Sequence, residues 1–145
     1  MGLTTETTEE TQGRSELDDV NHPLNKISAK IRESIFKIHM TFGPGLLEST
    51  YEECLFYDLK ENQGLRVERQ KLLPLQFEEL NIANAYKVDL LVEDQIILEL
   101  KACDKIQPVH KAQLLTYMKI YQSRLGYLIN FNEKLIKNGI HRFVL

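Results

Sequence analysis

Residues 88–101 read Val-Asp-Leu-Leu-Val-Glu-Asp-Gln-Ile-Ile-Leu-Glu-Leu-Lys (VDLLVEDQIILELK), two runs of strand-forming residues separated by a polar break. The apolar residues predict two buried strands, and the break between them is typical of a hairpin loop. Three charged residues interrupt the runs: Asp89, Glu99 and Lys101. The interpretation of this stretch depends on where their side chains point.

The length of the hairpin loop decides which of these charged side chains share a face. A two-residue loop would send Asp89 and Glu99 to opposite faces of the sheet. A three-residue loop, 93–95, places Asp89 directly across from Glu99, with Lys101 on the same face. We predict the three-residue loop, or a bulge with the same effect, because it leaves the other face uniformly apolar for packing. That face comprises Val88, Leu90, Val92, Ile96, Leu98 and Leu100.

Two facing carboxylates repel each other, and a sheet that holds them needs something to neutralise the pair. A divalent cation such as Mg²⁺ or Mn²⁺ can do this, since hard cations take carboxylate, carbonyl and water oxygens and leave positions open for a phosphate. Lys101 beside such a cation could orient or help deprotonate an attacking water. The alternative is a solvated face on which Lys101 forms a cross-strand ion pair. The spacing of the three residues leaves both alternatives open.

The rest of the chain predicts an α/β domain, with a mixed central sheet flanked by helices. Apolar residues recur every three or four positions over 24–42 and 46–61, which predicts two amphipathic helices, and Pro108 begins a third helix that ends near Tyr121. Residues 79–85 are typical of a turn. Strands are predicted at 65–70 and 72–78 (or one bent strand limited by Pro74), 86–92, 96–102, 125–131 and 140–145.

Length and composition predict one domain after a polar tail. The 145 residues suit a single core, and residues 1–22, rich in Thr and Glu, predict a disordered tail before a folded domain at 23–145. A net charge of −3 means that any phosphate-binding surface is local. Cys54 and Cys103 form no disulfide framework or zinc motif, so we expect reduced packing residues. The sequence shows no membrane span or signal peptide, and we expect a cytoplasmic protein.

Several motifs follow one another along the chain in a characteristic order. Asp89 followed by Glu99-Leu100-Lys101 resembles the motif that gives the PD-(D/E)XK nuclease superfamily its name. Residues 113–117 (QLLTY) look like the QxxxY motif of its RecB-like and lambda-exonuclease-like branch. Residues 45–51 (GLLESTY) are similar to the signature of the GxxExxY proteins, a group within the superfamily. The resemblance extends over about 24–145 and implies a restriction-endonuclease-like core.

The resemblance also implies a metal centre. Glu48, Asp89 and Glu99 would bind one or two Mg²⁺ or Mn²⁺ ions, with the backbone carbonyl of Leu100 as a further ligand. Lys101 would position the nucleophilic water. These are the residues for which the resemblance implies a direct part in the chemistry.

Other polar residues lie near these motifs. Gln113 and Tyr117 are four residues apart on one helix face, and the resemblance implies that they contact the substrate or steady the active-site lysine. His110 is either a hydrogen-bonding residue at the helix start or a phosphate contact. Tyr51 either packs in the interior or hydrogen-bonds near the site. Lys87 is either a solvated strand lysine or a phosphate contact.

The resulting hypothesis is a metal-dependent nuclease that hydrolyses phosphodiester bonds, of DNA rather than RNA, and leaves a 5′-phosphate and a 3′-hydroxyl. The alternative is a non-catalytic nuclease-fold binding or assembly module, which the small size and the net negative charge favour. The complete set of acids and lysine favours the nuclease. The sequence has no Gly-rich phosphate loop of a small-molecule enzyme and no heptad seam, although a homodimer could form to bind DNA.

Overall fold

The computed structural model describes residues 16–145, which form an α/β domain. The helices are α1 (Pro23–Phe42), α2 (Glu48–Tyr57), which continues into a π-helical turn (Asp58–Asn62), and α3 (Pro108–Tyr121). The strands are β1 (Val67–Phe77), β2 (Leu80–Val92), β3 (Ile96–Lys101), β4 (Leu125–Asn130) and β5 (Ile140–Val144). Short 3₁₀ turns lie at Glu16–Asp18 and Ile136–Gly139.

The strands form one mixed sheet in the order β1-β2-β3-β4-β5. Neighbouring strands are antiparallel except β3 and β4, which are parallel. A parallel pair needs a long crossover connection, and α3 supplies it. The predicted mixed sheet flanked by helices is confirmed.

Helices cover both faces of the sheet, so its central strands are buried on both sides. On one face, α1 and α2 pack over a large cluster that includes Leu90, Ile96 and Leu98. On the other face, α3 packs over a smaller cluster that includes Leu91, Ile97 and Leu128. The face that carries the charged residues is therefore partly covered by α3.

The predicted three-residue hairpin loop is confirmed. Val92 pairs with Ile96 and Leu90 pairs with Leu98, so residues 93–95 form the loop. The amide of Gln95 donates to the carbonyl of Val92 at 3.0 Å, which closes the turn.

The prediction that Val88 shares a face with Leu90 is wrong. Val88 packs in the cluster under α3, together with Leu91, whereas Leu90 packs under α1 and α2. Side chains three positions apart cannot share a face of a regular strand. The alternation along β2 is therefore interrupted at Asp89.

The prediction of a turn at 79–85 is also wrong for most of that range. Residues from Leu80 onward belong to β2 and pair with β1, with Leu80 across from Phe77 and Ile82 across from Leu75. The short turn at Glu78 and Glu79 suffices to reverse the chain, and the two strands continue beyond the main sheet as a ribbon. The register of β1 shifts between Leu73 and Leu75, around Pro74, as that proline predicts.

Residues upstream of residue 23 also take part in the packing of the described chain. Leu17 is buried in the main cluster, and its carbonyl accepts a 2.9 Å hydrogen bond from the side-chain amide of Asn25. The predicted disorder of the tail otherwise concerns residues 1–15, which lie outside the described part of the chain. Cys54 and Cys103 are half-buried free thiols. None of the helices described is long and apolar enough to cross a membrane.

Candidate active site

The carboxylates of Asp89 and Glu99 bridge the two strands where regular pairing stops. Paired residues on β2 and β3 end at Leu90 and Leu98. One residue further, Glu99 Oε2 accepts a 2.9 Å hydrogen bond from the Asp89 amide, and Asp89 Oδ2 accepts a 2.8 Å hydrogen bond from the Leu100 amide. Each carboxylate thus binds the backbone of the opposite strand, and the two acids lie side by side.

The two acids are poorly compensated. Glu99 is 7% exposed, and burial together with the charge of Asp89 raises the pKa of Glu99 to about 8. Burial also raises the pKa of Asp89, and the negative charges of Glu52 and Glu48 add to this effect. Lys101 lowers the pKa of both acids but does not reverse either shift.

Lys101 lies close enough to the acids to affect them, yet it does not pair with them. Within residues 16–145, no carboxylate lies within ion-pairing distance of its ammonium group. The alternative of a cross-strand ion pair is therefore not what this part of the chain forms. Lys101 remains a half-buried cation beside the half-buried Asp89 and the buried Glu99.

Glu48 is the first residue of α2 and is exposed. Its negative charge contributes to the raised pKa of Asp89. In the described part of the chain, however, no three His, Cys, Asp or Glu side chains are grouped closely enough to hold a metal ion. Glu48, the predicted third ligand, therefore does not form a three-carboxylate cluster with Asp89 and Glu99 in the described chain.

The first three turns of α3 supply a polar border to the site. Gln113 Nε2 donates a 2.8 Å hydrogen bond to the hydroxyl of Tyr117, whose ring stacks on Tyr86 with centroids 4.8 Å apart. Burial raises the pKa of Tyr117, and the charge of Glu99 raises it further. The QxxxY pair therefore lies within electrostatic range of the acids.

His110 caps α3. Its Nδ1 accepts a 3.0 Å hydrogen bond from the Gln107 amide, which completes a capping box. Burial lowers the pKa of His110, and the nearby charge of Lys101 lowers it further. The helix-start alternative accounts for this histidine.

The structure also shows the surroundings of Tyr51 and Lys87. Tyr51 is fully buried and stacks on Phe131 with centroids 4.4 Å apart; its hydroxyl donates to the Gly43 carbonyl and accepts a 3.2 Å hydrogen bond from the Leu46 amide. It is a packing residue that also fixes the loop leading into α2. Lys87 is exposed, across from Leu72 on β1.

Three residues of the site were not predicted: Glu52, Arg69 and Gln70. Glu52 is 5% exposed, and its Oε2 pairs with Arg69 Nε at 2.7 Å. Gln70 Nε2 donates to Glu52 Oε1 at 2.8 Å and to Asp89 Oδ1 at 3.3 Å. Glu52 follows Glu48 by four residues, and this spacing places both acids on one helix face, a signal present in the sequence.

Gln70 has a φ of 53°, in the left-handed region. Among the described non-glycine residues with positive φ, the others lie in hairpin turns or at a helix end: Glu78, Glu93, Asp94 and Gln122. Gln70 lies inside β1. Such a conformation costs about 1–3 kcal/mol and persists where the surrounding structure enforces it, often at functional sites.

The model of one protein family matches residues 25–143, and that family is described as the PD-(D/E)XK nuclease superfamily. The chain belongs to the PD-(D/E)XK nuclease superfamily. Members of this superfamily generally use divalent metals and act on nucleic acid. The match extends from α1 to β5, apart from one or two residues at each end. It includes the acid pair and Lys101.

Comparison with curated proteins gave no match. Among solved structures, the crystal structure of SSO0001 is similar over 95% of this chain and 72% of its own, with 14% sequence identity and a TM-score of 0.44.

Proposed function

We propose that the protein is a metal-dependent nuclease that hydrolyses phosphodiester bonds, with DNA preferred over RNA. The observation that carries the proposal is the Asp89–Glu99 pair, a half-buried and a buried carboxylate with raised pKa values and no ion-pair partner among the described residues. Acids perturbed in this way concentrate at functional sites. A nuclease superfamily fold supports phosphodiester hydrolysis as the function of the pair.

The donor set fits a hard divalent cation such as Mg²⁺ or Mn²⁺. Glu99 Oε1 is buried and has no hydrogen-bond partner in the described chain, and Asp89 Oδ1 accepts one long hydrogen bond, of 3.3 Å. Asp89 and Glu99 would hold the cation, together with the Leu100 carbonyl and Glu48, the exposed first residue of α2. When bound, such a cation polarises the scissile phosphate and lowers the pKa of water.

Lys101 is the candidate for organising the attacking water. It follows Glu99 by two positions on β3, so both side chains point to the same face of the sheet. Its ammonium group lacks an ion-pair partner in residues 16–145 and can therefore hydrogen-bond a water or a phosphate oxygen. Its positive charge would also stabilise the negative charge that develops during in-line attack.

Gln113 and Tyr117 are the candidates for substrate contact. The Gln113 amide donates to the Tyr117 oxygen, which leaves the hydroxyl proton of Tyr117 available to a phosphate oxygen. The stack of Tyr117 on Tyr86 fixes the direction of that hydroxyl. These contacts would orient a strand along the N-terminal part of α3.

Within the superfamily, we assign the chain to the GxxExxY group of the RecB-like and lambda-exonuclease-like branch. Tyr51, the last residue of the signature, bonds the loop that begins with Gly43 and leads to Glu48. This contact gives the spacing of the signature a physical basis, since the tyrosine fixes the helix start that presents the glutamate. The hydrogen bond between Gln113 and Tyr117 does the same for QxxxY.

The second candidate is a non-catalytic nuclease-fold module that binds nucleic acid or assembles with a partner. The net charge of −3 favours it, because a duplex is bound mainly through phosphate contacts from Lys and Arg. A homodimer would double those contacts. We propose a cytoplasmic location for either function.

Cleavage assays with linear, nicked and single-stranded DNA and with RNA test the proposal. Wild-type protein with Mg²⁺ or Mn²⁺ should cleave DNA, and EDTA should abolish cleavage. Lys101→Ala should lower the rate by about 10²–10⁴-fold, the range expected when a residue that handles a proton or water is lost. Lys119→Ala, an exposed lysine on α3, is the matched control and should leave the rate unchanged.

Mn²⁺ binding and cleavage, measured together, separate the two candidates. A cation bound by the folded state raises the melting temperature, and Asp89→Asn should remove this rise while Lys101→Ala retains it. Cleavage that persists in EDTA or in Lys101→Ala would contradict the mechanism. A Mn²⁺-dependent rise without cleavage of any substrate would favour the binding module.

A further inference from the structure

We propose that Gln70 is a positioning residue for Asp89 and that Glu52 and Arg69 hold Gln70 in place. This role depends on the proposed nuclease site, since Asp89 is one of its two central acids. Gln70 acts through Asp89 and needs no contact with substrate. Four residues on three elements (α2, β1 and β2) form the chain of contacts.

The amide group of Gln70 has a fixed orientation. Its nitrogen lies 2.8 Å from Glu52 Oε1 and 3.3 Å from Asp89 Oδ1. A side-chain amide nitrogen carries two hydrogens, so it can serve both carboxylates at once. The amide oxygen would be repelled by either acid, and the nitrogen must therefore face them.

Glu52 serves as the anchor of Gln70 and not as a further cation ligand. It is 5% exposed, and its two oxygens are both occupied, Oε2 by Arg69 Nε at 2.7 Å and Oε1 by Gln70. The guanidinium of Arg69 compensates the charge that the anchor buries. A buried acid with both oxygens in use is suited to hold a neighbour in place.

The backbone adapts to this contact in both strands. Gln70 lies between the Arg69–Leu90 and Lys71–Val88 pairs, directly across from Asp89. Its φ of 53° departs from strand geometry at the level where β2 loses its regular alternation. Regular pairing would remove both irregularities. Both occur where the Gln70 side chain contacts Asp89, and this coincidence supports a role for the contact.

The consequence is that the Asp89 carboxylate is held at both oxygens. Oδ2 accepts from the Leu100 amide at 2.8 Å and Oδ1 accepts from Gln70. Each carboxylate oxygen has two lone pairs, so each keeps one for a cation. Partners that orient a metal ligand in this way contribute about 10–100-fold to metal affinity or activity.

The test compares wild-type protein with Gln70→Met, which keeps the length of the side chain and removes the amide. Titration with Mn²⁺ alone, followed by calorimetry and by the electron paramagnetic resonance signal of the ion, should show a Kd raised about 10–100-fold. The kcat for DNA cleavage should fall while KM is unchanged. The melting temperature in EDTA should fall slightly, because Glu52 Oε1 loses a hydrogen bond, and the Mn²⁺ affinity of the folded protein then separates positioning from folding.

Gln76→Met is the matched control. Gln76 is exposed on the same strand, and its side chain donates to the Glu78 carbonyl, away from the acids. Its Mn²⁺ affinity and kcat should equal those of wild type. Gln70→Asn is the second variant, because Asn tolerates the left-handed region but is one methylene too short to bridge both acids. It should also weaken Mn²⁺ binding.

Wild-type Mn²⁺ affinity in both Gln70 variants would overturn the positioning role and leave the nuclease proposal intact. Wild-type protein that neither binds Mn²⁺ nor cleaves would overturn the nuclease proposal and this role with it. If only the melting temperature in EDTA falls in the variants, while Mn²⁺ affinity is retained, Gln70 is a structural residue and the role is excluded.

Discussion

Asp58 and Glu99 are both nearly inaccessible to water, with 4% and 7% of their surface exposed. Burial alone would raise the pKa of Asp58, but hydrogen bonds from Lys37, Ser34 and Asn62 lower it below its ordinary value. The donor distances are 2.7 Å from Lys37 Nζ to Oδ1, 2.5 Å from Ser34 Oγ to Oδ2, and 2.5 Å from Asn62 Nδ2 to Oδ1. Three side-chain donors thus satisfy the Asp58 carboxylate.

Glu99 has the opposite environment. It accepts one backbone hydrogen bond and lies against a second acid, Asp89, and its pKa rises to about 8. Asp58 joins α1 to the π-helical turn after α2, so its compensation stabilises the fold. Glu99 has no comparable set of donors that would stabilise its buried carboxylate. The difference shows that the chain can neutralise a buried acid, and that at Glu99 it leaves the charge for something else to neutralise.

The largest effect on folding is expected from Asp58→Asn. The carboxamide would turn an N–H group toward donors, leaving buried groups unsatisfied, and the free energy of unfolding should fall by about 2–3 kcal/mol. Because the folded-state pKa of Asp58 is depressed, its contribution is present above the unfolded pKa and is lost as pH falls through the folded value. Urea denaturation at pH 7 measures the loss. Wild-type stability in this variant would contradict the comparison.

The matched substitution at the other acid, Glu99→Gln, should have the opposite sign. Its carbonyl oxygen can still accept from the Asp89 amide, while the charge repulsion is removed. In EDTA at pH 8, we expect a gain of about 2 kcal/mol, or roughly 6 °C in melting temperature. A stability loss at pH 8 would show that Glu99 is already compensated.

The pH dependence of wild-type stability provides the control for this sign. The folded pKa of Glu99, about 8, lies above its ordinary value of 4.5, so the folded state binds the proton more tightly. Its stabilising contribution is complete below about pH 4.5 and is lost as pH rises toward 8. Glu99→Gln should reduce this slope over the same range, and the raised pKa of Asp89 accounts for the remainder.

The alternation of apolar and polar residues, and the positions of helix- and strand-breaking residues, predicted much of the fold. The hairpin at 93–95 follows from the need to keep one face apolar, and Pro108 predicts the start of α3. The acid pair and Lys101 were predictable for the same reason, since charges in an apolar strand are conspicuous. These signals are local, extending over a few residues.

The rest of the site depends on contacts between distant residues. Glu52 and Arg69 are 17 positions apart, and nothing in the periodicity of α2 or β1 indicates that they pair. Gln70 has a positive φ, and Val88 packs under α3. Both features occur where β1 and β2 depart from regular pairing at Asp89. Strand continuation through 80–85 was missed because those residues are exposed on a two-stranded ribbon and lack apolar alternation.

The smallest effect is expected from Lys37→Met, which asks what compensates Asp58. The Lys37 side chain is 57% exposed, so solvent screens its ion pair with Asp58, and exposed pairs contribute about 0–1 kcal/mol. Ser34 and Asn62 would still donate to the carboxylate. We therefore expect a loss of about 0.5 kcal/mol in urea denaturation, reduced further in high salt. A loss equal to that of Asp58→Asn would mean that the lysine charge compensates Asp58, and the contrast with Glu99 would then reduce to the presence of one well-placed cation.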